Sequence, residues 1–178
     1  RALSVAAYFH EAGWAVQVRR SQADPLAVLC SPLTEAQLNL SAEAMVERLE
    51  GVINQRTLET ATEIVLQMRS KSPERIEASV LADACGLDEF GPLFWCVEMR
   101  RGMHSGRGLD QTITFWKRRQ EYNYWKARIE DSFRFEKTRR LARQRLERIT
   151  TFMDDLASVH YGHDVRGAQD FVSPHAQG

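Results

Sequence analysis

Several things are scarce in this chain of 178 residues, and each scarcity excludes something. Only three cysteines occur, Cys30, Cys85 and Cys96, far apart and with no Cys-x-x-Cys pair. That excludes a disulfide framework and points to a reducing, cytoplasmic setting. No apolar run approaches the ~20 residues of a membrane helix. The opening residues carry no secretory signal pattern. The formal net charge is zero, so the whole chain is not steered toward nucleic acid or an anionic membrane. Neither a Walker nor a Rossmann glycine pattern is present, and no stretch of alternating residues makes a convincing strand.

What is there is helical periodicity. Hydrophobic residues make up 43% and charged residues 27%, ordinary values for a globular domain with a real core. Residues 1–12 read as a helix broken by Gly13. Residues 14–33 read as a loop with one short helix or turn between Pro25 and Pro32. Thr34-x-x-Gln37 fits a capping box. Ser41 is placed to cap residues 42–49, with Gly51 as the stop. Residues 56–69 put Leu58, Ala61, Ile64, Val65 and Met68 on one face. Ser72-Pro73-Glu74 reads as the start of the next helix, whose apolar face is Ile76, Val80, Leu81 and Ala84.

Residues 87–99 are the most apolar stretch and are expected to form the most buried helix. Residues 100–108 read as a loop with three glycines. Residues 109–133 and 136–160 read as two long helices with a turn near Arg134. The stripe of the last helix is Leu141, Leu146, Ile149, Phe152, Met153 and Leu156. The class is all-α: one domain over residues 1–160, then a mobile tail over residues 161–178.

Two short segments carry the candidate chemistry. Ala6-Ala7-Tyr8-Phe9-His10-Glu11-Ala12-Gly13 resembles the motif that names the HD-domain metal-dependent phosphohydrolases, Ala-x-x-x-His-Asp-x-Gly. Leu81-Ala82-Asp83-Ala84-Cys85-Gly86-Leu87-Asp88-Glu89-Phe90-Gly91 resembles that family's last signature, Asp-Ala-Asp-x-Leu-Asp-x-x-Gly. Residues 136–156, with Thr138-Arg139-Arg140-Leu141-Ala142-Arg143, are similar to its closing helix. The resemblance touches most of residues 2–160. It implies an HD-like helical bundle with two long C-terminal helices.

The resemblance also implies a site. The family holds one or two divalent metals with His, His-Asp and a final Asp, and the metal activates water against a phosphoester. Here His10 matches the paired His, Glu11 stands for Asp, and Cys85 stands for the final Asp. The family's first His lies upstream of the paired motif, where this chain offers none. Metal candidates are thus His10, Glu11 and Cys85, and ligand-binding candidates are Asp83, Asp88 and Arg107. The expected cofactor is none, or a weakly bound divalent metal.

The reading that follows is an HD-type domain with a degraded metal site, serving as a non-catalytic binding or regulatory module. The alternative is a metal-dependent phosphohydrolase acting on a nucleotide or other phosphoester. A third is an unrelated helical interaction protein. The expected partners are a small phosphorylated ligand, and a protein partner or a second copy, with no membrane.

Three other features have ordinary explanations. His160-x-x-His163 has i, i+3 spacing but no further ligand except Asp164. His104 with Arg100, Arg101 and Arg107 in a glycine-rich stretch could meet a phosphate. Residues 117–148 hold twelve Lys or Arg against five acids, with Trp116, Tyr122, Tyr124 and Trp125 interleaved. A solvated basic face paired with the acidic helices of residues 35–89 accounts for this better than a nucleic-acid surface does.

Overall fold

The computed structural model describes residues 1–31 and 33–165. Among these residues there are ten α-helices and no strand, so the class is all-α. The greater part of the expected tail, residues 166–178, lies outside the described residues. No helix is long and apolar enough to cross a membrane among the described residues. The chain divides into two compact units: residues 1–88 with 133–138, and residues 89–132 with those from 139 onward.

The first unit begins with α1 (Ala2–Phe9) and α2 (Ala12–Ser21), followed by α3 (Pro25–Cys30), α4 (Glu35–Leu49), α5 (Gln55–Gln67) and α6 (Ile76–Gly86). The break between α1 and α2 falls at His10 and Glu11, not at Gly13. Gly13 sits inside α2 because the helix there lies against α4. A Cβ on it would come 2.0 Å from the Gln37 carbonyl oxygen and 2.9 Å from Ser41 Oγ. Glycine is demanded by proximity, so the chain continues as helix where a stop was expected. Most of residues 14–33 is therefore helical, not loop.

α4 starts as the sequence indicates. Thr34 Oγ1 accepts from the Gln37 N–H at 3.3 Å, and Gln37 Oε1 accepts from the Thr34 N–H at 2.8 Å. Ser41 does not cap residues 42–49: it lies within α4. α5 buries Leu58, Ala61, Ile64 and Val65, as its periodicity requires. These residues join Ala6, Leu38, Met45, Met68, Ala78 and Leu81 in one core.

α6 departs from expectation twice. It starts at Ile76, because Gln67 Oε1 accepts the N–H groups of Glu74 and Arg75 and holds that segment outside the helix. It also buries Ala78, Ser79, Leu81 and Asp83, while Ile76 and Val80 face solvent.

A 3₁₀ turn (Leu87–Glu89) leads into the second unit, which holds α7 (Pro92–His104), α8 (Leu109–Glu121), α9 (Tyr124–Ser132) and, from residue 139 onward, α10 (Glu136–His160). α7 runs five residues beyond Met99 and takes in most of the expected glycine loop. The first of the two expected long helices is split at Asn123, which adopts φ 53°. Asn tolerates that left-handed conformation better than most residues.

The core of this unit is aromatic. Phe94 meets Trp125 edge-on at 5.1 Å and Trp116 at 5.6 Å, and Phe90 meets Trp125 at 5.7 Å. Such pairs are worth about 0.5–1.5 kcal/mol beyond the area they bury. α10 contributes Ala142, Ile149, Met153 and Ala157 as its buried residues. Leu141 and Phe152 of the expected stripe are instead part-exposed, at 37% and 43%. Phe152 lies against the Trp95 ring, 5.5 Å away, at the edge of the core.

Candidate functional site

The His10–Glu11 step is built by backbone geometry. His10 ends α1, its N–H bonding to the Ala6 carbonyl at 2.9 Å. Glu11 then leaves helical geometry before α2 begins. Ser41, fully buried on α4, clamps the junction from below. Its hydroxyl donates to the His10 carbonyl at 2.9 Å and accepts from the Gly13 N–H at 2.8 Å. One hydroxyl thus satisfies two backbone groups freed by the helix break. Nothing local in the sequence marks Ser41 for this task, since its partners are about thirty residues away.

His10 is oriented by its own helix. Nδ1 lies 2.8 Å from the Ala7 carbonyl, which requires the Nδ1–H tautomer and leaves Nε2 turned toward Glu11 Oε1 at 3.8 Å. This is the arrangement of a metal-ligating or proton-handling imidazole, with one nitrogen held and the other available.

α6 packs against α1 and brings Cys85 into the same neighbourhood. Burial pushes the Cys85 thiol up to about 12, and the negative charges of Glu11 and Asp88 push in the same direction. Sulfur suits a hard, oxygen-rich magnesium or manganese site badly. Asp88 is exposed in the 3₁₀ turn that follows α6.

Asp83 is placed differently. It is 2% exposed, and its carboxylate accepts the N–H of Arg134 at 3.1 Å on each oxygen and that of Phe135 at 3.1 Å. The Arg134 guanidinium adds a 3.9 Å ion pair and donates to the Ser70 carbonyl at 2.6 Å. Asp83 thus caps the start of α10 from a distance, and its charge sits at the positive end of that helix.

Arg107 belongs to the second unit. Its side chain donates to Ser105 Oγ at 3.0 Å, and its guanidinium lies 5.7 Å from the Phe115 ring. Arg101 pairs with Glu98 at 3.3 Å. His160 lies 3.9 Å from Asp110, which also accepts from the Tyr161 hydroxyl at 2.5 Å. That hydrogen bond raises the Tyr161 phenol above its usual value.

The basic stretch is partly neutralised within its own unit. Arg128 makes two bonds to Glu89 at 2.8 and 2.9 Å, and Arg143 meets Glu130 at 2.8 Å. Arg119 lies 4.1 Å from the centre of the Phe115 ring and 4.0 Å from the buried Glu98.

No family model, curated protein or solved structure matches this chain. Among the described residues, no group of three or more His, Cys, Asp and Glu side chains is gathered closely enough to hold a metal. The donor set at the α1–α2 junction does not fit the divalent metal that the resemblance implies. It offers one imidazole, one carboxylate a methylene longer than Asp, and a soft thiol where the site calls for a hard oxygen donor.

Proposed function

We propose that residues 1–160 carry an HD-type helical domain whose metal site is degraded and which binds rather than hydrolyses. The observation that carries this is the identity of residue 85. At the position where the resemblance requires a metal-binding carboxylate, the chain places a half-buried thiol, a soft donor where the site calls for a hard one. The neighbouring carboxylate, Asp83, is engaged by two backbone N–H groups. The resemblance makes a small phosphorylated molecule the ligand class to test. Three free cysteines fit a reducing, cytoplasmic setting.

The test is metal analysis of protein purified without chelator, with manganese and zinc titrations by calorimetry. Hydrolysis and binding are then measured with bis(p-nitrophenyl) phosphate and a nucleotide panel. The expected result is substoichiometric metal, no turnover, and nucleotide binding that chelator does not abolish. Stoichiometric metal that disappears in His10→Ala, together with turnover, would overturn the proposal in favour of a phosphohydrolase. Glu11→Asp combined with Cys85→Asp asks how much of the site those two residues removed. It should raise metal affinity only if another ligand exists near His10.

A further inference from the structure

The outer face formed by α4 and α5 carries an open groove of about 690 Å³ that continues into a second hollow of about 290 Å³. The two share Val46 and Thr62. Val46 and Leu66 give the groove an apolar floor, and Leu66 is 43% exposed. Its rim is acidic. Glu43 and Glu63 are matched by Arg20 and Arg75, but Glu47 and Glu50 have no ion-pair partner among the described residues. An apolar floor with unmatched acids at its edge fits a helix that is apolar along one line and basic beside it.

The chain itself carries such a helix. Along α10, Leu141, Arg148 and Phe152 are exposed, and their spacings of seven and eleven residues fall within about 20° of whole helical turns. They therefore form one straight stripe. Arg148 has no ion-pair partner among the described residues. Asp155, one turn past Phe152, marks the end of the basic stretch. The lengths agree as well. The α4 wall of the groove runs from Asn39 to Glu50, and the stripe from Leu141 to Phe152. Both span eleven steps along the chain, or about 16 Å at 1.5 Å per residue.

We propose that the α4–α5 groove of one copy receives the α10 stripe of a second copy. Leu141 and Phe152 would lie on Val46 and Leu66, and Arg148 would lie against Glu47 and Glu50. Each copy offers one groove and one stripe, so reciprocal contact closes a dimer and one-way contact builds a chain. Charge complementarity sets the register and excludes the groove-to-groove alternative, in which like charges would meet.

The test uses sedimentation velocity of the full chain at low and high micromolar concentrations, with folding checked by circular dichroism. Wild type should associate, and added salt should weaken it. Glu47→Arg with Glu50→Arg should weaken self-association by about tenfold or more, and Arg148→Glu should do the same. The decisive arm mixes the two variants. Each alone opposes like charges, whereas in the mixture both grooves meet stripes of opposite sign, so association should return. A wild type that stays monomeric at high micromolar concentration overturns the proposal. So do variants that associate like wild type, or a mixture that stays monomeric.

Discussion

The carboxylate of Asp83 holds the backbone of Arg134, accepting its N–H at 3.1 Å across 51 residues of sequence. This contact ties the end of the first helical run to the start of the last helix, within one compact unit. It also explains how a carboxylate in this segment can be buried: its charge is met by N–H donors and the N-terminal dipole of α10.

Asp83→Ala should cost about 3 kcal/mol, because it removes a charged acceptor and leaves two N–H groups without it. Asp83→Asn should cost less, since the amide oxygen still accepts. Urea midpoints of the two variants decide the matter. Equal, small losses in both would show that the carboxylate is not holding the α10 start.

The junction at His10 rests on Ser41 and Gly13. Ser41→Ala leaves the His10 carbonyl and the Gly13 N–H unsatisfied and should cost about 1–3 kcal/mol. Gly13→Ala forces a methyl onto the Gln37 carbonyl oxygen, so α2 must move away from α4. Overpacking of this kind costs about 1–3 kcal/mol. A Gly13→Ala protein as stable as wild type would refute the close approach of the two helices.

Cys85 sets an alkaline limit. Its folded value of about 12 lies above the usual 9.0, so the fold keeps a proton that the unfolded chain loses. The contribution is full below about pH 9 and is lost as the pH rises toward 12, with a slope of at most about 1.4 kcal/mol per pH unit. Cys85→Ala should flatten stability against pH between 9 and 11 while changing little at pH 7. Alkylation at pH 8 should label exposed Cys96 well before Cys85. Superimposable pH profiles for wild type and variant would count against the burial of this thiol.

Much of the fold was legible because its signals are local. The Thr34–Gln37 box and the α5 stripe depend on residues three and four apart, and both were read correctly from the sequence. The errors arose where a distant partner decided the outcome. Gly13 looks like a helix stop until the Gln37 carbonyl is seen against it. Asp83 reads as a ligand candidate until Arg134 and Phe135 arrive, and once it is buried the hydropathy of α6 points to the wrong face. Asn123 breaks a helix that is otherwise well patterned, by one left-handed residue. For the candidate site, motif spacing singles out His10, Glu11 and Cys85. The burial of Cys85 and the clamp by Ser41 depend on packing that spacing does not carry.

The last helix separates two kinds of apolar residue that its sequence presents as one stripe. Ile149 is 3% exposed and Phe152 is 43% exposed. Sequence periodicity alone would assign Phe152→Ala a loss of roughly 3–5 kcal/mol, the cost of truncating a buried ring. With nearly half its surface already in water, and Trp95 as its ring partner, the variant should lose only about 1–2 kcal/mol. Ile149→Ala, though a smaller truncation, should lose about 2–5 kcal/mol, because it opens a cavity in the packed interior. Chemical denaturation of both variants gives the order directly. If Phe152→Ala proves the more damaging, Phe152 is covered by something in solution, and the loss should then shrink on dilution as a contact with another copy is given up.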